Sequence, residues 1–228
     1  MEDMMDDNSF SMGVGDMDLH KLIHPKPDLL IEEIIKALVP ACEISTLGPR
    51  KKLHMNTDNN QRNCFLLLDG FCSFRRKYND INVHMLHAPL ILGLSEMLSP
   101  GGFHFLYTET ASRIGVVPYE KFVKCTQEHP HLWSSVARYL AWVSQRQMFR
   151  DMELSERNVY SIIRTLLIRL NGEPDEYKNR VIASNYILDH TLLSKSAVMS
   201  ILADLKKGEF IKTKKGRLIN IMNLPEKY

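Results

Sequence analysis

The fold of this chain is decided near its C-terminus by Leu193-Ser-Lys-Ser-Ala-Val-Met-Ser-Ile-Leu-Ala-Asp-Leu205, followed at once by Lys206-Lys-Gly-Glu-Phe-Ile-Lys-Thr-Lys-Lys-Gly-Arg217. Apolar residues in the first stretch recur at three- and four-residue steps, which predicts a helix with one buried face. They are Val198, Ile201, Leu202 and Leu205. We expect Ser194 to cap this helix, and Gly208 to end it in the left-handed conformation common at helix C-termini.

A basic hairpin is predicted directly after this helix. Two β-prone runs, 210–213 and 218–221, surround a turn that contains Gly216. Upstream, residues 184–190 form a short predicted helix with Ser184 as its N-cap, and 191–193 make a tight link. A short helix, a capped helix and a lysine-rich hairpin are typical of a winged helix-turn-helix, so DNA is the leading partner. The alternative is an ordinary amphipathic helix beside a solvated basic turn.

Charge is distributed unevenly along the chain. Residues 194–228 contain eight Lys/Arg and three Asp/Glu, a local net charge of +5, while the first eighteen residues contain six acids and no base. The net charge of the whole chain is only +2. A basic C-terminal end is what contacts to phosphate groups require.

The predicted DNA-binding residues lie on the two helices and on the wing. They are Ser184, Ser194, Lys195, Ser196, Met199, Ser200, Lys206, Lys214, Lys215 and Arg217. We expect the three wing residues to contact phosphates rather than bases. The alternative function is a winged helix that contacts another protein and has lost DNA binding.

The composition excludes several classes of protein. With 44% hydrophobic and 25% charged residues, the chain has the composition of an ordinary soluble protein. It contains no apolar run near the roughly 20 residues that span a bilayer, and its acidic start does not resemble a secretory signal. Four scattered cysteines without a CxxC pair predict reduced thiols in the cytoplasm, with no metal site and no cofactor.

The first half of the chain predicts a β-domain. Residues 28–38 form an amphipathic helix, and short β-prone runs broken by turns follow up to residue 117. Asp69-Gly70 favours a type I′ turn between paired strands 64–68 and 71–76. In that pairing Cys72 would face Leu67, and Cys64 would face Arg75, too far from each other for a disulfide.

A long helix is predicted from His131 to about Met152, and a further helix capped by Ser155 should follow it. The long helix has two apolar stripes and therefore needs two partners. We expect the stripe Leu132, Val136, Tyr139 and Val143 to form a homodimer interface. The other stripe is Trp133, Ala137, Leu140 and Met148. The alternative is a helix enclosed on both sides within a monomer.

The predicted architecture is therefore α+β and has four parts. They are a disordered acidic segment (1–27), a β-roll (28–130), a linking helix (131–154) and a winged helix-turn-helix (155–228).

The order of these elements resembles the cyclic-AMP receptor and fumarate–nitrate regulator superfamily of bacterial transcription factors. The resemblance covers about residues 28–222 and includes the Asp69-Gly70 turn, the Gly93 loop and the winged helix-turn-helix. The ending, 193–202 with 216–221 and 224–228, is similar to an enterobacterial branch named for an inhibitor of hydrogen peroxide resistance. The resemblance implies a cyclic-nucleotide-like jelly roll, a homodimer on double-stranded DNA, RNA polymerase as a further partner, and a stress-response role.

The chain departs from that family at the ligand loop. Nucleotide-binding members hold the ribose and phosphate with a Gly-Glu pair and a later Arg-Ser pair. Here Gly93 is followed by Leu94, and the Arg-Ser positions correspond to His104 and Phe105. Leucine and phenylalanine give a phosphate no cation or donor, and Glu96 does not restore the site. We expect regulation without cyclic AMP and a degenerate loop that acts as an apolar plug; the alternative is a less polar effector of unknown identity.

The recognition positions also differ, because Lys195, Ser196 and Ser200 stand where guanine-reading members carry Arg-Glu and a later Arg. Lysine cannot grip a guanine edge in two places as arginine does, so a different site preference is expected. An enzyme is not expected, because His84, His87, His104, Asp69 and Glu96 match no metal-ligand spacing and no nucleophile motif appears.

Overall fold

The computed structural model describes residues 25–55, 61–99, 101–155 and 158–226, so most of the predicted disordered segment 1–27 lies outside the described residues. The helices are α1 Asp28–Leu38, α2 Leu94–Leu98, α3 Tyr119–Glu128, α4 Leu132–Leu154, α5 Val159–Gly172, α6 Asp175–Lys178, α7 Ala183–His190 and α8 Lys195–Lys207. The strands are β1 Glu43–Leu47, β2 Lys52–His54, β3 Asn63–Asp69, β4 Phe71–Arg76, β5 Asn82–His87, β6 Leu90–Leu92, β7 His104–Thr108, β8 Ser112–Pro118, β9 Ile211–Lys214 and β10 Arg217–Ile221. This order confirms the predicted α+β architecture of β-roll, long helix and winged helix-turn-helix.

The β-roll consists of two antiparallel four-stranded sheets with strand orders β1-β8-β3-β6 and β2-β7-β4-β5. Their facing sides form one core, in which Leu66 of β3 and Leu106 of β7 are completely buried. Burial of such side chains is the main contribution that holds the two sheets together.

The predicted hairpin at Asp69-Gly70 is wrong. Strands β3 and β4 follow one another along the chain, but β3 pairs with β6 and β8 while β4 pairs with β5 and β7. Gly70 has φ 91° where the chain passes between sheets, and a Cβ there would lie 2.5 Å from Ser112 Oγ and 2.7 Å from the Ala111 carbonyl oxygen. The glycine is therefore needed for close approach as well as for its positive φ.

The cysteine environments change with this correction. Cys72 pairs with Leu86 and Thr108, while Cys64 pairs with Val117. The predicted pairs of Cys72 with Leu67 and of Cys64 with Arg75 are therefore absent. All four cysteines are free thiols.

Strands β1 and β2 and helix α2 are among the elements that were not predicted. Strand β1 has mostly exposed side chains and pairs with β8, while the three-residue strand β2 pairs with β7. Short strands without a clear apolar alternation give little sequence signal. Helix α2 occupies the segment predicted as a loop, and Gly93, with φ 79°, stands at its N-cap.

The long helix α4 packs against the β-roll of its own chain. Leu132, Val136 and Tyr139 are at most 2% exposed within the β-roll core, and the Tyr139 hydroxyl donates to the Ile91 carbonyl. The prediction that these three residues form a dimer interface is therefore wrong, because their stripe is already covered. Val143 is half-buried against the same core.

Of the other predicted stripe, Trp133, Ala137 and Met148 are exposed, whereas Leu140 packs against the β-roll core. The outward stripe of α4 also includes the exposed Ala141 and Met152. Trp133 is 45% and Met148 64% exposed, which is unusual for large apolar side chains spaced along one helix face.

A second hydrophobic core holds α5, α7, α8 and the β9-β10 wing together. Helix α5 begins at Val159, where the Asn158 side chain accepts a hydrogen bond from the Tyr160 N–H at 2.9 Å. The prediction that Ser155 caps this helix is wrong, because the Ser155 N–H instead bonds to the Asp151 carbonyl at the end of α4. The domain boundaries given above stay predictions.

Candidate nucleic-acid interface

Helix α8 is fixed in place by its cap and its buried face. The Ser194 hydroxyl accepts from the Ala197 N–H at 3.2 Å, which confirms the predicted cap. Val198, Ile201 and Leu205 are buried in the second core, so the helix cannot rotate without exposing them. The opposite face is thereby held toward solvent.

That outward face carries the side chains predicted to read DNA. Those that are exposed are Ser194, Lys195, Ser196, Met199, Ser200 and Lys206. The Ser194 and Ser196 hydroxyls lie 3.1 Å apart. A short polar face at the N-terminal end of such a helix is the part that reaches base edges in this class of motif.

The end of α8 differs from the prediction. Gly208 has φ −79°, and the left-handed residue is Glu209, at φ 60°. The Phe210 N–H bonds to the Leu205 carbonyl and the Glu209 N–H to the Lys206 carbonyl, which is the Schellman arrangement. Gly208 is instead covered by the Phe210 ring, since a Cβ would lie 2.5 Å from its Cε2 atom.

The wing is a two-residue hairpin beside the recognition helix. Lys215 and Gly216 have φ 52° and 77°, as a turn that follows the strand twist requires. Lys214, Lys215 and Arg217 are all exposed at its tip. The Gly216 carbonyl accepts from the Ala183 N–H at 2.9 Å, so the wing tip is tied to the start of α7.

Ser184 does not cap α7. The helix begins at Ala183 with Ile182 in the capping position, and Ser184 lies half-buried within its first turn. The side chain of Ile182 has no hydrogen-bond acceptor. The preference for a serine at the N-cap therefore indicated Ser184, two positions later. A contact between Ser184 and DNA stays a prediction.

Ion pairs join the winged-helix part of the chain to the β-roll and the long helix. Arg75 of β4 binds both carboxylate oxygens of Asp189 in α7, with 3.0 Å from Nη1 to Oδ2. Glu153 of α4, 4% exposed, accepts from Arg169 of α5. No local sequence signal marks these contacts, because their partners are 16 to 114 positions apart.

Two histidines lie in this junction in the neutral form. The His190 Nδ1 is 2.8 Å from the Tyr186 carbonyl, and its Nε2 has no partner among the described residues. Burial is the main cause that lowers the pKa of His190 to about 4, and the nearby Arg169 acts in the same direction. Burial and the same arginine lower the pKa of His84 to about 3.

An open cavity of about 780 Å³ lies between the β-roll and α4. Gly93, Leu94 and Glu96 of the predicted ligand loop are in its wall, together with His104. Glu96 and His104 pair with each other, with 3.6 Å between Oε1 and Nδ1, and His104 stacks on Phe74. Leu94 is buried without closing the space, which opposes the predicted apolar plug.

Phe105 does not belong to this site. It is 3% exposed, pairs with His54 across β2, and lies under the Lys52 ammonium at 4.6 Å from the ring centroid. Successive strand residues point to opposite faces, so His104 and Phe105 cannot both line one cavity.

The described part of the chain contains no group of three His, Cys, Asp or Glu that could hold a metal. Nor does any described helix have the length and apolarity needed to cross a membrane.

Comparisons with known proteins agree with this architecture. A family model for winged helix-turn-helix DNA binding matches residues 159–226. The inhibitor of hydrogen peroxide resistance of Escherichia coli K12 is 30% identical over 179 residues, which cover 78% of this chain and 86% of that protein. The Salmonella typhimurium protein of the same name is 29% identical over 178 residues, with the same coverage of both chains.

Solved structures share the fold at low identity. The c-di-GMP responsive global regulator CLP of Xanthomonas campestris has a TM-score of 0.67 at 11% identity and covers 84% of this chain and 99% of its own. A CRP-family transcriptional regulator from Thermus thermophilus has a TM-score of 0.59 at 18% identity, covering 78% and 92%.

Proposed function

Because this chain belongs to the family of the inhibitor of hydrogen peroxide resistance, with the fold of CRP/FNR regulators, we propose that it reads a specific DNA site without cyclic AMP. The chain is a DNA-binding transcriptional regulator with a winged helix-turn-helix.

The observation that carries the proposal is the exposed face of α8 beside the wing. Lys195 and Ser196 stand at the capped N-terminal end of a helix whose other face is buried. Lys214 and Lys215 are exposed on the adjacent hairpin. In the proposed complex, side chains on α8 contact base edges, and the wing lysines contact the phosphate backbone.

The test is recovery of genomic DNA fragments bound by the purified chain, followed by titration of the best fragment. Lys195→Glu combined with Lys214→Glu should abolish specific binding at moderate salt. Lys124→Glu is a charge-reversal control for each of the two single substitutions, because Lys124 has a 77% exposed side chain on α3, away from α8. The control should bind like the wild type.

Unchanged affinity of the double variant for genomic DNA at low salt would contradict the proposal. That result would favour the second function, a winged helix that contacts another protein. Equal losses in the double variant and the Lys124 control would also contradict it, since they would indicate a nonspecific charge effect.

Independence from cyclic AMP is supported by the polar groups at the ligand loop. The position after Gly93 is Leu94, which is buried, and His104, which stands beside the loop, is paired with Glu96. A cyclic phosphate would meet a carboxylate there. Cyclic AMP should therefore leave both the melting temperature and the DNA affinity unchanged.

A homodimer is proposed through the outward stripe of α4 in place of the stripe predicted from sequence. Trp133 and Met148 are exposed on this stripe, and Met148 lies about 22 Å along the helix from Trp133. Met148→Glu should shift the sedimentation coefficient toward the monomer. Met222→Glu is the control, because Met222 is equally exposed, at 67%, but lies after the wing.

A role in peroxide resistance is proposed from the name of the relatives. In this proposal the protein affects resistance through the genes that it regulates. Burial raises the pKa of Cys64 and of Cys72 to about 12, so both thiols stay protonated and react slowly with peroxide. Deletion of the gene should change survival in peroxide, while Cys64→Ala with Cys72→Ala should leave that response intact.

A further inference from the structure

The cavity between the β-roll and α4 is large and mostly apolar. Its volume of about 780 Å³ is within the range of sites for small organic ligands. Side chains from β6, α2 and α4 supply much of the wall. The apolar ones include Leu90, Leu92, Leu94, Leu98, Leu140 and Val143. An apolar ligand body would therefore be buried on several sides.

A cluster of polar groups interrupts this wall where α4 faces β5. Arg146 and Gln147 come from α4, and His84 and His87 from β5. Burial lowers the pKa of His84, and the positive charge of Arg146 acts in the same direction, whereas Gln147 opposes it. Among the described residues, the buried His84 Nε2 and His87 Nδ1 atoms have no hydrogen-bond partner.

Arg146 is the cation of this cluster. Within the described ranges no hydrogen bond or ion pair is formed by its guanidinium, whereas Lys26, the cavity's other permanent cation, pairs with Asp28 at 3.4 Å. Burial and the nearby Arg169 lower the pKa of Arg146. The neighbouring acids are Glu153, bound to Arg169, and Glu173, bound to His87. An anion beside Arg146 would relieve this excess of positive charge.

We propose that the cavity binds an amphipathic carboxylic acid, with its apolar body against the leucine wall and its carboxylate on Arg146. A single guanidinium matches a carboxylate through two parallel hydrogen bonds. The unpartnered Nε2 of His84 lies in the same wall and can donate to one of the remaining lone pairs. This assignment rests on the proposed regulator function for its biological meaning, but not for the binding itself.

The site is also connected to the DNA-binding part of the chain by a direct contact. The His87 Nε2 lies 2.7 Å from Oε2 of Glu173, which is in the loop after α5. A bound carboxylate would compete with Glu173 for His87 and Arg146 and would repel it. Ligand binding thereby weakens a contact that holds the winged helix-turn-helix against the β-roll.

The test is calorimetric titration of the full chain with decanoate and with decanol, which share the apolar body and differ in the head group. Decanoate should bind saturably and at least about tenfold more tightly than decanol, the usual value of one hydrogen bond to a charged group. Arg146→Met should remove this difference. Arg138→Met, an exposed arginine on the same helix and outside the cavity wall, should keep it.

Absence of decanoate binding, or equal binding of decanoate and decanol to the wild type, would overturn the assignment even if Arg146→Met failed to fold. Persistence of the preference in a folded Arg146→Met variant would overturn it as well. For the regulatory step, decanoate should shift the DNA affinity of the wild type and leave that of Glu173→Gln unshifted. If the wild type binds decanoate but binds no DNA, the proposed function is rejected and the assignment of the ligand site stands.

Discussion

His190 should make the folded protein sensitive to mild acid. It is 2% exposed at the end of α7, and its Nδ1–H donates to the Tyr186 carbonyl. A second proton would go to the buried Nε2, which has no partner among the described atoms, near Arg169 and Arg150. The folded state therefore resists protonation, while the unfolded state accepts a proton readily.

The sign and size of the effect follow from the two pKa values. The pKa of His190 is lowered from an ordinary 6.5 to about 4. Stability is then fully present above the unfolded pKa and is lost as pH falls toward the folded one. Between about pH 7.5 and about pH 5, His190 should reduce the free energy of unfolding by about 2 kcal/mol.

Urea unfolding at the two pH values measures this loss. His190→Gln should lower stability at neutral pH, because it loses the ring packed against Tyr186, yet its stability should fall by about 2 kcal/mol less than that of the wild type on acidification. His129→Gln is the control, since His129 is exposed and its substitution leaves the junction intact. Equal acid losses in the wild type and His190→Gln would refute the reasoning.

Three further substitutions test the fold and the site. Ser194→Ala removes the cap of α8 and should cost about 1 kcal/mol in unfolding free energy and weaken DNA binding, as measured by urea unfolding and DNA titration. Gly70→Ala should destabilise by about 2 kcal/mol or more, because φ is 91° and the Cβ meets backbone, whereas Gly48→Ala, with open space around it, should be tolerated in the same assay. Asp189→Asn should cost about 1 kcal/mol, since Arg75 keeps Asp80 as a partner, and should loosen the α7 contact as seen by amide hydrogen exchange.

The sequence was sufficient where local chemistry decides the structure. The amphipathic face of α8, the Ser194 cap and the turn that contains Gly216 depend on residues within a few positions of one another. Such signals act within a single element and hardly depend on the rest of the chain. The apolar face of α1 was found for the same reason, with its observed bounds.

Local signals failed where two distant parts compete for the same residue. Asp69-Gly70 has the composition of a hairpin turn, but the pairing of β3 with β8 leaves β4 to the other sheet. Both stripes of α4 are apolar, and only the packed β-roll decides that Leu132, Val136 and Tyr139 face inward. Periodicity indicates that a face is buried, but it does not identify the partner.

The sequence by itself determined that residues 194–217 form a capped helix followed by a basic wing, and that the Gly93 loop carries Leu94 directly after the glycine. Both are matters of residue identity and spacing over short distances. Only the tertiary structure decided that an open cavity remains at that loop and that Arg146 lies in its wall. It also decided that Arg75 and His87 hold the DNA-binding part through Asp189 and Glu173. These features join residues 86 and 114 positions apart, and such contacts form only when the two cores have packed against each other.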